Sequence, residues 1–213
     1  MKQLNDFVAS KLLRMKAIKL QPHNPFLWAT GWNSPIYCDN RKILSYPQVR
    51  NVVKVELARI VAEEYPDVDV IAAVATNAIA MGVLLAQELG LPFIYVHSSP
   101  KDNGFENMIE GDLRPRQNVL VVEDQVSVGK NSMKVVETIR KNACKVVGML
   151  AIFDYQLSAT RQQFKKEEIN LTALTNFEAV IRHALEEGYI REEDAEILQT
   201  WQKNPEKWSM DNK

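Results

Sequence analysis

The chain has 213 residues, and its 26 Lys and Arg against 27 Asp and Glu give a formal net charge of −1. This near-neutral charge argues against a nucleic-acid-binding protein and requires any anion site to be local. The apolar fraction of 46% and the charged fraction of 25% are normal for a globular protein, and the length suits one α/β domain.

The N-terminal 20 residues are amphipathic and contain no long apolar segment, so they do not resemble a signal peptide. No apolar run approaches the ~20 residues that a membrane-spanning helix needs. Cys38 and Cys144 are the only cysteines. Two distant cysteines without a secretory signal indicate reduced thiols. We therefore expect a cytoplasmic protein with no membrane segment.

The first third of the chain combines two helices with an irregular segment. Residues 3–17 carry apolar side chains at helical spacing, and a second helix is predicted from about 47 to 65, with Ser45 as its cap. Between them, residues 21–45 are rich in proline, asparagine, glycine and aromatic residues, which predicts short extended pieces and turns. We expect this irregular segment to form a small hood, within an N-terminal region that spans residues 1–65.

From residue 68 onward, apolar strand-like segments alternate with helical ones. The predicted strands are 68–76, 91–97, 118–124, 145–155 and 169–175. This alternation predicts an α/β fold with a doubly wound parallel sheet of about five strands. The chain is predicted to be a single domain over residues 1–213, with the core sheet in 66–176 and C-terminal helices in 177–213.

One long polar segment, residues 97–118, interrupts the alternation. Long loops inside compact α/β units are usually lids, binding loops or disordered segments. We favour a functional lid, and a floppy β-hairpin is the alternative interpretation.

Ligands of open α/β sheets bind beyond the carboxyl ends of the strands. Three segments meet this condition. They are ATNAIAMG after the first strand, with Thr76 and Asn77, the polar segment after the second strand, and EDQVSVGKNS after the third. The third segment carries the strongest chemical pattern.

Glu123 and Asp124 end the third predicted strand, and two acids there are costly unless they are solvated, bound to a metal or facing a sugar hydroxyl. The next residues lead into a helix N-terminus, whose N–H groups and macrodipole favour an anion. Gly129 permits a tight turn, and Ser127 and Ser132 can donate hydrogen bonds to phosphate oxygens. The residues thus suggest a phosphorylated sugar as ligand. The alternative is that Asp124 and Ser127 only cap the following helix.

The segment VLVVEDQVSVGKNS resembles the ribose 5-phosphate motif of type I phosphoribosyltransferases. Two other segments narrow the resemblance to orotate phosphoribosyltransferases. GWNSPIYCDNRKILSYPQVR is similar to the N-terminal pattern S-P-x-Y-x-D-x-R of that family, and VHSSPKDNGFENMIEGDLRPRQNVLVVED is similar to its mobile catalytic loop. The resemblance extends from the first helix to about residue 208.

The resemblance implies the type I phosphoribosyltransferase fold and a Mg²⁺-dependent reaction. In that reaction ribose 5-phosphate is transferred from phosphoribosyl pyrophosphate to orotate, giving orotidine 5′-monophosphate and pyrophosphate in pyrimidine biosynthesis. Mg²⁺ is held mainly by substrate oxygens, so no protein metal ligand is expected. The family is typically a homodimer in which the lid of one subunit serves the neighbouring site.

The resemblance also assigns roles to individual positions. Lys101 of the lid and Asp124 are the expected catalytic residues, because the lysine reaches the diphosphate and the acid faces the ribose. Together with the residue chemistry, it predicts substrate contacts at Glu123, Ser127, Gly129, Lys130, Ser132, Thr76, Asn77, Tyr37, His97 and Asn103.

Several positions depart from the family pattern. The lid carries His97 where arginine is usual and Asn103 where histidine is usual, which removes permanent or potential positive charge. The diphosphate segment, A-T-x-G-I-P in the family, has alanine at the usual glycine and proline positions. The phosphate loop carries Val128 and Lys130 at positions that are usually small or hydroxyl-bearing. Lys130 either supplies a cation to the phosphate or points into solvent.

Two hypotheses follow from these departures. The first is an orotate phosphoribosyltransferase with an altered site. The second is a divergent paralogue that has lost or changed catalysis and acts as a nucleotide-binding, phosphate-binding or regulatory protein.

Overall fold

The computed structural model describes residues 2–28, 31–99 and 108–212. The N-terminal elements are α1 (Lys2–Arg14), β1 (Ile18–Leu20), β2 (Phe26–Leu27), β3 (Asn33–Ser34), β4 (Ile36–Cys38), a 3₁₀ helix (Asn40–Ser45) and α2 (Pro47–Glu64). The core elements are β5 (Val70–Val74), α3 (Ile79–Leu89), β6 (Phe93–Val96), β7 (Ile109–Glu110), β8 (Asn118–Val126), α4 (Lys130–Lys141), β9 (Lys145–Asp154), α5 (Ser158–Lys166) and β10 (Leu171–Asn176). The C-terminal elements are α6 (Phe177–Glu186), α7 (Glu192–Lys203) and α8 (Pro205–Asp211).

The main sheet of the described chain has six strands in the order β10-β9-β8-β5-β6-β7. The five predicted strands are all present, and they pair in parallel. After β5 the chain adds β6 on one side and then returns to add β8 on the other. The order therefore reverses between β5 and β8, which is the point where doubly wound sheets bind ligands.

Helices cover both faces of this sheet and bury two apolar clusters. One cluster joins alternate residues of the strands to α1, α2, α3, α6 and α7. The other joins the remaining strand residues to α4 and α5. Because both faces are covered, β5 is buried along its whole length, as its apolar sequence predicts.

Two small antiparallel sheets form here: β1, just before the hood, pairs with β4, and β2 pairs with β3 inside the hood. Ser45 is the last residue of the 3₁₀ helix that follows β4. The prediction that Ser45 caps α2 is therefore wrong. The N-cap of α2 is Tyr46, which makes no side-chain capping bond, and Pro47 begins the helix. Proline suits that position because its missing N–H has no helical partner there.

The segment 97–118 contains a strand that the sequence did not predict. β7 pairs antiparallel with β6, with Tyr95 opposite Glu110 and Val96 opposite Ile109. The backbone N–H of His97 also donates to the carbonyl of Met108 at 2.8 Å. The chain on either side of residues 100–107 is thus held together, while residues 100–107 themselves, including Lys101 and Asn103, lie outside the described residues. The lid therefore stays a prediction.

In the part of the chain that the structure describes, no helix combines the length and apolarity required to cross a membrane.

The packing of α2 on the sheet depends on a glycine in β9. Tyr65, the residue that follows α2, is buried. A Cβ placed on Gly148 would lie 2.5 Å from Cε1 and 2.7 Å from the hydroxyl oxygen of Tyr65. The Tyr65 hydroxyl accepts a hydrogen bond from Nδ2 of Asn170 at 3.2 Å, which further fixes the ring. The added methyl group of Gly148→Ala therefore has no space to enter.

We expect Gly148→Ala to lower the free energy of unfolding by about 1–3 kcal/mol through overpacking. Chemical denaturation measures this loss. In a Tyr65→Leu background the ring is gone, so the same substitution should cost less. An equal cost in both backgrounds would show that the Tyr65 ring is not the obstacle.

Candidate functional site

A cleft of about 420 Å³ opens at the carboxyl ends of β5 and β8, where the strand order reverses. We call it the main cleft. It is lined by Val74, Ala75, Thr76, Asn77, Glu123, Asp124, Gln125, Ser127, Val128, Gly129, Lys130, Asn131 and Ser132. The fold therefore brings together the predicted segments that follow the first and third strands.

The acidic pair lies deeper than the sequence indicated. The predicted strand ended at Asp124, but β8 continues to Val126 because its pairing with β9 extends to that residue. Glu123 and Asp124 are only 7% and 5% exposed. Both acids still line the main cleft.

Burial changes the proton affinity of both acids. The pKa of Glu123 is raised to about 8, mainly by burial and also by the nearby Asp124 carboxylate, while a hydrogen bond from Ser132 opposes the shift. Burial also raises the pKa of Asp124 to about 6, against backbone hydrogen bonds and the Arg41 guanidinium, which favour its ionised form. Positive charge placed beside these carboxyl groups would favour their ionised forms.

The hood supports Asp124 through Asn40, which is buried. The Nδ2 atom of Asn40 donates to the backbone carbonyl of Asp124 at 2.6 Å. Arg41 pairs with Asp39 through Nε and Oδ1 at 2.7 Å, and this pair lies close enough to affect Asp124. The Oδ2 atom of Asp124 is buried and has no hydrogen-bond partner among the described residues. A carboxylate oxygen without a partner at a cleft is free to accept a bond from a ligand.

The turn between β8 and α4 requires glycine at one position. Gly129 has φ +70°, and a Cβ there would lie 2.8 Å from Cε1 of Phe164 and 3.0 Å from Cγ2 of Thr160. The Thr160 hydroxyl also donates to the carbonyl of Ser127 at 2.6 Å. These contacts with α5 fix the loop that faces the cleft.

The first turn of α4 faces the main cleft without a side-chain cap. Gly129 is its N-cap residue, so the alternative that Asp124 and Ser127 cap this helix is wrong. Uncapped N–H groups at a helix N-terminus form a ready site for an anion. Lys130 begins α4, is exposed, and makes no ion pair within the described parts of the chain, whereas Val128 packs against the core.

The segment after β5 supplies the opposite side of the main cleft. Thr76 and Asn77 are both exposed and line it. The peptide bond between Ala75 and Thr76 is cis. Ala78 is buried and precedes α3, which also lacks a side-chain cap.

A second cleft of about 320 Å³, which we call the side cleft, shares Gln125, Ser127 and Asn131 with the main cleft. Its remaining lining residues are Leu27, Trp28, Tyr37, Cys38 and Tyr155. This places the predicted contact residue Tyr37 beside the acids rather than among them. Three of its lining residues are aromatic, Trp28, Tyr37 and Tyr155, which suits a flat ring.

Gln125 lies between the two clefts. Its Nε2 atom donates to the carbonyl of Cys38 at 3.3 Å, and its Oε1 atom is buried without a partner in the described structure. The sequence prediction missed both Gln125 and Asn40. Gln125 lies in the ribose 5-phosphate motif, and Asn40 lies in the N-terminal motif. A polar residue inside such a motif is the only sequence signal that could have pointed to them.

His97 is not among the described residues that line either cleft. It follows β6, and its ring packs edge-on against Tyr95 with centroids 5.6 Å apart. Lys101 and Asn103 lie outside the described residues, so their predicted contacts remain predictions.

The raised pKa of Glu123 has a consequence for stability. Above pH 4.5 an unfolded chain releases this proton, whereas the folded protein retains it until about pH 8, so stability is lost as the pH rises through this window. Glu123→Gln removes the buried charge and keeps the side-chain shape. We expect the variant to gain on the order of 3 kcal/mol over the wild type between pH 5 and pH 9.

Denaturation of both proteins at pH 5 and pH 9 measures this gain. Glu137→Gln, on the exposed face of α4, serves as the control and should show little pH-dependent difference. A constant difference between the Glu123→Gln variant and wild type at both pH values would contradict the burial argument.

No protein-family model matches the chain. Relatives of established name match it over nearly its full length. The orotate phosphoribosyltransferase of Phocaeicola vulgatus is 56% identical over 208 residues, which cover 98% of each chain. That of Porphyromonas gingivalis is 53% identical over 210 residues, which cover 99% of this chain and 100% of the relative.

Solved structures of lower identity share the fold. The UMP synthase of Leishmania donovani has a TM-score of 0.78 at 21% identity, covering 93% of this chain and 42% of that one. The orotate phosphoribosyltransferase of Aeropyrum pernix has a TM-score of 0.70 at 23% identity, covering 83% of this chain and 98% of that one. With sequence identity above 50% to relatives along almost the whole chain, the protein belongs to the orotate phosphoribosyltransferase family.

Proposed function

We propose that this protein transfers ribose 5-phosphate from phosphoribosyl pyrophosphate to orotate, which gives orotidine 5′-monophosphate and pyrophosphate. The observation that carries the proposal is the main cleft, where a buried acidic pair adjoins an uncapped helix N-terminus. The names of the relatives at 53–56% identity support the same activity. The alternative of a purely regulatory protein has no comparable support.

The ribose and its 5′-phosphate match the two halves of the main cleft. The carboxylates of Glu123 and Asp124 accept hydrogen bonds from the ribose hydroxyls, and the free Oδ2 atom of Asp124 is the first such acceptor. The N–H groups at the start of α4 hold the 5′-phosphate. Thr76 and Asn77, on the opposite side, are available to the diphosphate.

In the proposed reaction the bond from ribose C1 to the diphosphate oxygen breaks, and the bond from C1 to the orotate ring nitrogen forms. That nitrogen loses its proton to the released diphosphate or to water. Positive charge develops on the ribose as the diphosphate leaves with the electron pair. The buried acids stabilise that charge because they are fixed in a site of low polarity. Lys101 of the predicted lid neutralises the leaving diphosphate, and the closed lid excludes water.

Mg²⁺ is the cofactor that we propose for this reaction. The described residues contain no group of three or more His, Cys, Asp or Glu side chains that could hold a metal ion. We propose that the ion is held mainly by diphosphate and ribose oxygens, since Mg²⁺ is commonly bound through substrate phosphates rather than an all-protein cage. When bound, Mg²⁺ would offset negative charge on the diphosphate.

The side cleft is the proposed place for the pyrimidine ring. It adjoins the acids at Gln125, so a ring lying there would have its glycosidic nitrogen near the ribose. Trp28 is held by a bond from Nε1 to the carbonyl of Ile36 at 3.2 Å, and it packs edge-on against Tyr155. These fixed aromatic side chains give the ring a preformed wall.

We also propose that the protein works in the cytoplasm as a homodimer with shared lids and without nucleic-acid or membrane partners. The near-neutral charge and the two free, buried cysteines are in keeping with this.

Lys130 supplies positive charge beside the phosphate and offsets the loss of hydroxyl-bearing residues at positions such as Val128. The substituted loop and lid are then expected to change the rate while the reaction is retained.

Purified protein mixed with orotate, phosphoribosyl pyrophosphate and Mg²⁺ should consume orotate. Asp124→Asn should lower kcat/KM by about 10²–10³-fold, since a fixed charge that stabilises the transition state is lost. Glu137→Gln, outside the cleft, is the matched control for loss of an acid. Orotate loss no faster than with the Lys101→Ala variant would contradict the proposed activity.

Lys130→Met should weaken binding of ribose 5-phosphate about 10-fold, because a cation near the phosphate is removed while the side-chain length is kept. Calorimetry measures the affinity. Lys134→Met, an exposed lysine one turn further along α4, should have little effect. Tighter binding by Lys130→Met would show instead that Lys130 obstructs the phosphate.

A further inference from the structure

Ser132 is buried in the first turn of α4 and bonds to the acidic pair instead of facing solvent. The residue is 3% exposed, and its Oγ atom donates to Oε1 of Glu123 at 2.7 Å. The sequence predicted that this hydroxyl donates to phosphate. In the structure the Ser132 hydroxyl donates to Glu123, and its contact with phosphate stays a prediction.

The bond joins two elements that hold different parts of the proposed substrate. Glu123 lies on β8 among the residues proposed to face the ribose, and Ser132 lies where α4 meets the proposed 5′-phosphate. Gly129 is fixed separately by its close approach to Phe164. The distance between the acid and the helix end therefore depends on the Ser132 hydroxyl as well as on the loop.

The charges around Glu123 determine how much its ionisation depends on the hydrogen bond from Ser132. Asp124, next to it on β8, is the charged neighbour that raises its pKa, and Asp39 and Arg41 of the hood act in turn on Asp124. Lys130 of α4 lines the same cleft, and the residues contributed from the end of β5 are uncharged. In the described structure, Ser132 is the side-chain donor that stabilises the ionised form of Glu123.

We propose that Ser132 is a positioning residue: its hydroxyl holds the Glu123 carboxylate at the ribose side of the main cleft and fixes it relative to the phosphate-binding end of α4. This inference rests on the proposed function, since it assigns Ser132 a part in the same reaction. Ser132 acts through Glu123 and is not assigned a contact with substrate.

The pH dependence of kcat/KM tests the inference, because its acidic limb reports ionisation of essential groups in the free enzyme. Ser132→Ala should move that limb upward by about one pH unit or more, since a hydrogen bond to the charged carboxylate is lost. Ser132→Thr keeps the hydroxyl and should restore the profile. Thr138→Ala, which removes another hydroxyl of α4, should leave the profile unchanged.

A turnover-independent measurement separates this inference from the proposed function. ¹³C-NMR of labelled glutamate carboxyl groups, with Glu123→Gln used for assignment, follows the titration of Glu123 directly. The midpoint should rise in Ser132→Ala and return in Ser132→Thr. An unchanged midpoint overturns the inference even if orotate is consumed. A raised midpoint without orotate consumption by the wild type contradicts the proposed function alone.

Discussion

The constraint that shapes the site is the burial of two adjacent carboxyl groups at the reversal point of the sheet. Burial raises the pKa of Glu123 to about 8 and that of Asp124 to about 6, so ionising them opposes folding at neutral pH and above. A sequence under pressure for stability alone would place apolar residues there. The cost of burying the acids is offset when a ligand brings hydroxyl donors or developing positive charge next to them.

The surroundings of the pair make that arrangement possible. Asn40 of the hood binds the backbone carbonyl of Asp124, and Ser132 of α4 binds the side chain of Glu123. The pair is thus supported from two sides, while the Oδ2 atom of Asp124 lacks a partner in the described structure. The hood and α4 are therefore parts of the site and not only parts of the scaffold.

The alternation of apolar strands and helices was sufficient to predict the five parallel strands, because buried strands carry continuous β-branched runs. It did not predict β7, because a strand of two residues is too short to show an alternating pattern. It also did not predict the 3₁₀ helix, which includes Ser45 and so prevents it from capping α2. The motifs located most of the residues that line the main cleft. They did not show that Ser132 bonds to Glu123 or that Asn40 supports Asp124, since both contacts arise from tertiary packing.

The central claim is that one cleft holds the ribose on the acidic pair and the 5′-phosphate on the start of α4. A crystal structure of the protein with phosphoribosyl pyrophosphate and Mg²⁺ tests it most directly. The account predicts ribose hydroxyls within hydrogen-bond distance of Glu123 and Asp124, and the 5′-phosphate on backbone N–H groups between Ser127 and Ser132. A ligand bound elsewhere, or a 5′-phosphate kept out of this loop by Lys130, would contradict it.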